Sequence, residues 1–230
     1  MKIALCYSGM FRDFLDCVNN HKIHLIDHYD CDVYLNLWDV YGFGGVSKKY
    51  NHSDNDTIEP NDIVKILKIL NPKDYFFESF KEKEPELSEL SDSISTHNFQ
   101  PYTKNVLCMY YKIKKCGDMI KTSNINYNVI VRMRTDILFR EKIDLFHNMD
   151  DDTVYVNKNF SWNENTVSDL FGYGKLNTMS YYFDMYDHLK FLWGKHGPLQ
   201  SPELILYSHL TSGNININRR DILLDISKRG

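Results

Sequence analysis

The chain has 230 residues and a formal net charge of -4, so it can bury one core but has no general attraction for nucleic acid or an anionic membrane. Its five cysteines form no Cys-x-x-Cys pair, and we expect reduced, mostly buried thiols in a cytoplasmic protein. No apolar run reaches the roughly 18 residues of a transmembrane helix, so we predict neither a membrane span nor a nucleic acid partner.

The first half of the chain alternates predicted strands with predicted helices. The five elements, in the order strand, helix, strand, helix, strand, cover residues 2–7, 11–29, 31–38, 60–70 and 74–80. A polar, glycine-containing stretch at residues 42–56 is typical of a long surface loop. Residues 81–100 are rich in charge and serine and have little apolar periodicity, so we predict a mobile excursion there.

The second half begins with a predicted helix near Thr103, whose lysines, Lys112 among them, fall mostly off the apolar stripe and indicate a solvated face. The later elements are two strands, two helices and a last strand, at residues 129–139, 153–156, 179–191, 202–210 and 214–218. This order predicts an α/β fold in one domain, with a mainly parallel central sheet and helices on both of its faces.

The predicted strand at residues 129–139 carries charge where a buried strand is expected to be apolar. Strand alternation places Arg132, Arg134 and Asp136 on one face. An isolated buried ion costs several kcal/mol or more, so these groups should be paired, bound to a metal, or placed at a strand end that opens into a cleft. Open α/β sheets bind their ligands at such strand ends.

Six stretches that occur in order carry a resemblance to a known family. They are residues 3–12, 31–39, 105–115, 129–139 with Arg-x-Arg-x-Asp, 169–174 with Asp-Leu-Phe-Gly-Tyr-Gly, and Pro202-Glu203. In these stretches the chain resembles small GT-A-fold glycosyltransferases of bacterial surface-polysaccharide clusters and large DNA viruses.

The resemblance implies a GT-A-like, Rossmann-like domain over residues 1–230 that acts in polysaccharide biosynthesis. Such an enzyme transfers a sugar from a nucleotide-diphosphate donor, here expected to be a UDP-sugar, to a hydroxyl group of a glycan acceptor. In a virus it would act in the host cytoplasm. The oligomeric state stays open.

The resemblance also implies Mn²⁺ or Mg²⁺ on the donor diphosphate. GT-A enzymes typically carry Asp-x-Asp at the end of a central strand, and the matching triplet here is Arg134-Thr135-Asp136. Asp136 can offer oxygen to a hard divalent ion, and His209 is a candidate further ligand, although a lone histidine near a helix end is more often structural. Arg134 removes one oxygen ligand and adds a fork suited to phosphate, so metal dependence stays open.

The predicted nucleotide-sugar site collects residues from the ends of three strands. They are Tyr7, Ser8, Gly9, Arg12, Trp38, Asp39, Arg132 and Arg134. Gly9 would let backbone N–H groups approach a phosphate or base, Trp38 could stack on a base, and Asp39 could accept from ribose or uracil. A plain strand-to-helix turn, a core tryptophan and a structural buried pair at Arg132 are the alternatives.

Two carboxylates are the predicted catalytic residues. Asp169, just before Phe-Gly-Tyr-Gly, is the first candidate for a general base or an acceptor ligand. Glu203 is the second, although a glutamate in the first turn of a helix after Pro202 often only complements the helix dipole. A sugar nucleotidyltransferase and a non-catalytic nucleotide-sugar-binding module are the alternative functions, and residues 8–12 are too sparse for the glycine-rich signature of the former.

Overall fold

The computed structural model describes residues 1–42, 56–94, 100–145, 149–196 and 201–227. The strands are β1 Lys2–Gly9, β2 Asp30–Trp38, β3 Asp74–Glu78, β4 Val129–Met133, β5 Ile137–Phe139, β6 Thr153–Asn157, β7 Phe171–Gly174, β8 Asn216–Arg220 and β9 Leu224–Ile226. The helices are α1 Phe14–His24, α2 Pro60–Leu70, α3 Phe80–Ile94, α4 Gln100–Thr122, α5 Leu176–Phe183, α6 Met185–His196 and α7 Pro202–Ser212. None of these helices is long and apolar enough to cross a membrane.

One 7-stranded sheet organises the fold, with the strand order β3-β2-β1-β4-β7-β6-β8. The pairs β3-β2, β2-β1, β1-β4 and β6-β8 are parallel, and β7 runs antiparallel to both of its neighbours. A separate antiparallel pair joins β5 to β9. The mainly parallel sheet confirms the predicted fold class. Because β1, β2 and β4 run in the same direction, their carboxyl ends meet at one edge.

Both faces of the sheet are buried, because alternate residues of β1 enter different cores. Ala4 and Cys6 belong to the core that includes the apolar residues of α3, α4 and α5. Ile3 and Leu5 belong to the core on the other face, which takes its helical residues from α1 and α2. The helices therefore cover the sheet on both sides, as predicted.

The charged strand is interrupted instead of running from 129 to 139 as predicted. β4 ends at Met133, and the chain turns through residues 134–136 into β5, which pairs with β9. Leu170 O accepts from Arg134 N at 3.0 Å, and Asp136 O accepts from Ser227 N at 2.8 Å. These hydrogen bonds to distant residues pair backbone groups of Arg134 and Asp136, which lie outside the 7-stranded sheet. Arg134 and Asp136 therefore do not share a strand face with Arg132.

Residues 80–94 form α3, where the sequence predicted a mobile excursion over residues 81–100. Phe80, Leu87 and Ile94 are buried and lie seven residues apart, so one narrow apolar stripe is enough to dock the helix. Apolar residues at so wide a spacing are difficult to recognise in a sequence that is rich in charged residues. Residues 95–99 and most of the predicted loop, residues 43–55, lie outside the described part of the chain.

Candidate active site

A cleft of about 330 Å³ opens at the carboxyl ends of β1, β2 and β4. From the strand ends it is bordered by the predicted donor-site residues Ser8, Gly9, Arg12, Trp38, Arg132 and Arg134. The two predicted catalytic carboxylates, Asp169 and Glu203, border it as well. The structure thus brings most of the predicted site into one concave space, at the sheet edge where open α/β folds bind ligands.

The end of β1 gives the cleft an accessible stretch of backbone. Gly9 has φ +112°, in the left-handed region, and a Cβ atom built there meets nothing within 4 Å. A ligand can therefore approach this backbone closely. Tyr7, two residues earlier, does not border the cleft: it is fully buried, and its hydroxyl lies 3.0 Å from His21 Nδ1. The structure places Tyr7 in the core instead of in the predicted nucleotide site.

Arg132 forms part of the cleft floor and is fully buried. Its Nε donates to Ser8 Oγ over a long 3.4 Å. Within the described part of the chain, neither Nη1 nor Nη2 has a hydrogen-bond partner. A buried guanidinium in this state is costly, so the arrangement keeps two charged donors available to an anionic ligand. Arg132 has no ion-pair partner among the described residues, which does not support the alternative of a structural buried pair.

Asp136 lies behind the cleft and does not border it, because two arginines of the cleft wall cover its carboxylate. Arg134 donates from Nε at 2.9 Å and from Nη2 at 2.7 Å, and Arg12 donates from Nη1 at 3.2 Å. Burial alone would raise the pKa of Asp136, but the charges of Arg134 and Arg12 outweigh it and hold that pKa well below its ordinary value. Asp136 is therefore an ionised anchor that orients both guanidinium groups.

The residues present do not fit the divalent ion that the family resemblance implies. The Asp136 oxygens already accept from two arginines. His209 does not border the cleft; it is buried, stacks on Tyr181 with ring centroids 4.3 Å apart, and its Nε2 lies 2.7 Å from Tyr181 O. Among the residues that the structure describes, no group of three or more His, Cys, Asp or Glu could hold a metal ion. Asp136 and His209 are thus not brought together as ligands.

Asp169 and Glu203 form the acidic side of the cleft. Val167 N donates to Glu203 O at 3.1 Å, which ties the segment before Asp169 to the start of α7. Burial, and then the nearby Asp169, raise the pKa of Glu203. Its Oε2 has no hydrogen-bond partner among the described residues. A carboxylate in this environment is suited to accept a proton.

Trp38 borders the cleft, but its ring is already packed by protein. The ring stacks on Tyr111 with centroids 5.6 Å apart, Phe80 meets it edge-on at 5.4 Å, and Lys112 Nζ lies 4.2 Å from its centroid. Because protein side chains already pack on the Trp38 ring, we do not expect a base to stack on it. Asp39 does not border the cleft. Its Oδ1 accepts from Phe80 N at 2.8 Å, at the start of α3.

Lys112 is fully buried, which corrects the predicted solvated face of α4. Its Nζ donates to Glu78 Oε2 at 2.7 Å and to Asn36 Oδ1 at 3.0 Å. Burial lowers the pKa of Lys112 to about 8, against the opposing effect of Glu78. Through these contacts and the position of its Nζ over the Trp38 ring, Lys112 helps to fix the Trp38 side chain that borders the cleft.

Sequence reasoning missed the aromatic rim of the cleft. Phe160 and Trp162, in the segment between β6 and β7, both border it, and Trp162 is 78% exposed. Thr166 Oγ1 accepts from Trp162 N at 2.8 Å, which fixes the local backbone. A tryptophan in an otherwise polar segment is the sequence signal that could have found this residue, because tryptophan is enriched at binding interfaces.

No protein-family model and no curated protein matches this chain. Among solved structures, the chain is similar to the apo form of the glycosyltransferase GlyE of Streptococcus pneumoniae TIGR4. The TM-score is 0.50 at 8% identity, over 94% of this chain and 45% of that one. It is also similar to the galactosyltransferase LgtC in complex with donor and acceptor sugar analogues, with a TM-score of 0.52 at 10% identity, over 94% of this chain and 73% of that one.

These similarities, at such low identity, concern the fold, and they match the predicted GT-A-like architecture. The chain spans less than half the length of the GlyE chain that it matches.

Proposed function

We propose that this protein is a glycosyltransferase that moves a sugar from a nucleotide-diphosphate sugar to a hydroxyl group of a glycan, with a UDP-sugar as the expected donor. The observation that carries the proposal is the buried Arg132, whose two Nη atoms have no hydrogen-bond partner among the described residues and which shares one cleft with Asp169 and Glu203. Such a cleft offers cationic donors to a leaving group and a proton acceptor to an incoming hydroxyl.

The donor would bind on the arginine side of the cleft. A diphosphate leaving group gains negative charge as the glycosidic bond breaks, and guanidinium groups stabilise that charge through paired N–H donors. Asp136 pairs with Arg12 and Arg134, and Arg132 borders the same cleft, so three guanidinium groups lie on this side. The open backbone at Gly9 lets a phosphate or ribose come close.

The acceptor would bind on the carboxylate side. If the reaction inverts the anomeric centre, Glu203 or Asp169 takes the proton of the attacking hydroxyl. If it retains that centre, the same carboxylates orient the acceptor. The exposed indole of Trp162 offers a flat apolar surface to the C–H face of a sugar ring at the cleft mouth.

Incubation with radiolabelled nucleotide sugars tests the proposal against its two alternatives. A transferase gives transfer or slow donor hydrolysis, a nucleotidyltransferase gives pyrophosphate exchange, and a binding module gives neither. The double variant Asp169→Asn with Glu203→Gln should abolish transfer while donor binding persists, and Glu141→Gln, at an exposed position, should behave as wild type. A protein that neither binds nor turns over any nucleotide sugar contradicts the proposal.

A further inference from the structure

At the position where the resemblance implies a metal ligand, the described residues offer no uncommitted carboxylate oxygen to a divalent cation. The carboxylate at the expected position, Asp136, is fully buried and accepts three hydrogen bonds from Arg12 and Arg134. A cation could reach its oxygens only after both arginines had left, and a buried carboxylate that loses its ion-pair partners is strongly destabilised. The remaining cleft carboxylates, Asp169 and Glu203, lie on the side assigned above to the acceptor.

Positive charge for the leaving group is nevertheless present in the protein itself. Asp136 holds Arg12 and Arg134 in the cleft wall, with 28% and 14% of their side chains exposed. Arg132 lies in the floor, and its Nη1 and Nη2 have no partner within the described residues. Because a guanidinium presents its donors in a rigid planar fork, it matches two phosphate oxygens at once, as a divalent ion does.

We propose that the cleft binds the donor diphosphate through arginine guanidinium groups without a divalent cation, and that Arg132 makes the central contact. This inference rests on the proposed function and names the chemistry of its donor subsite. Arg132 is fully buried, so a diphosphate reaches it as the more exposed side chains of the cleft change rotamer. Binding then gives Nη1 and Nη2 the partners that the described residues do not supply.

Isothermal titration of UDP, GDP, dTDP and CDP, each with EDTA and again with Mn²⁺, tests the inference on the wild-type protein. At least one diphosphate should bind in EDTA, with a Kd within about threefold of that in Mn²⁺. The matching monophosphate should bind about 10- to 100-fold more weakly, as expected when contacts to a charged group are lost. Binding that appears only with Mn²⁺ overturns the inference and leaves the proposed function standing.

Variants at two arginines assign the contact. Arg132→Met keeps an apolar stem and removes the fork, so the diphosphate Kd in EDTA should rise about 100-fold. The Tm without ligand should be unchanged or higher, because the variant removes an unsatisfied buried charge. Arg140→Met, at an exposed arginine outside the cleft, should bind as wild type.

The outcomes separate the two proposals. Wild-type affinity in Arg132→Met overturns the inference, and if that variant fails to fold, the EDTA titration of the wild type still decides. If no diphosphate binds under either condition and no nucleotide sugar is turned over, the proposed function itself fails.

Discussion

Asparagine at position 136 would keep the size of the buried side chain and remove its charge. The carboxylate accepts from Arg134 at 2.9 and 2.7 Å and from Arg12 at 3.2 Å, and it is fully buried. An amide has one acceptor oxygen and no charge, so at least one guanidinium contact is lost and both arginines lose their ionic attraction to residue 136. We therefore expect Asp136→Asn to destabilise the fold and also to weaken donor binding.

The loss of stability in Asp136→Asn can be estimated from the burial of the carboxylate. Removing one partner of a buried ion pair costs about 3–5 kcal/mol. Partial hydration of Arg12, whose side chain is 28% exposed, places the loss near the lower end, at about 3 kcal/mol. For a chain of this size that is a fall in Tm of roughly 6–12 °C. The pKa of Asp136 is depressed in the folded state, so its stabilisation is fully present above the unfolded-state pKa of about 4 and is lost progressively as the pH falls from there toward the lower folded-state pKa.

Thermal unfolding followed by circular dichroism at pH 7 and pH 3 measures this loss. Asp225→Asn is the matched control, because Asp225 accepts two hydrogen bonds from Arg140 at 2.6 and 2.8 Å in an exposed pair. That variant should keep the wild-type Tm. If Asp136→Asn also keeps the wild-type Tm at pH 7 while Mn²⁺-dependent activity disappears, the carboxylate is a metal ligand and the anchoring role is wrong.

Two further predictions concern the acceptor side of the cleft. Burial raises the pKa of Glu203, so its ionised form destabilises the fold at neutral pH; Glu203→Gln should have a higher Tm than wild type at pH 7, and the gain should vanish below about pH 4. As the pH is lowered, wild-type activity should begin to fall at a pH above the pKa of an ordinary glutamate, which a pH–rate profile measures. Trp162→Ala should raise the acceptor KM about 3- to 10-fold with donor hydrolysis unchanged, whereas the 73% exposed Phe191 can be changed to alanine without effect. An unchanged acceptor KM in the Trp162 variant would remove that residue from the site.

Local patterns were sufficient to predict the strands that build the cleft and the residues at their ends. The apolar runs of β1, β2 and β4 indicate buried parallel strands, and parallel strands must bring their carboxyl ends to one edge. That rule predicts Ser8, Gly9, Arg132 and Arg134 near one another, and all four border the cleft. Asp169 and Glu203 came from the family resemblance, and the structure places them beside the same cleft.

What the sequence could not predict depends on contacts between distant residues. Asp136 turns away from the cleft because β5 pairs with β9, where Ile137 lies opposite Ile226. Lys112 is buried because β3 brings Glu78 to it, and no local pattern records that partner. Tyr7 enters the core because the side chains of a strand alternate between its two faces, which the predicted site did not take into account.

The most direct test of the account is a crystal structure of the protein with the tightest-binding nucleotide diphosphate, grown with Mn²⁺ present. The account predicts diphosphate oxygens within about 3.2 Å of Nη1 and Nη2 of Arg132, with Asp136 still bound to Arg12 and Arg134. A diphosphate held by Mn²⁺ on Asp136, or one bound away from Arg132, would contradict it.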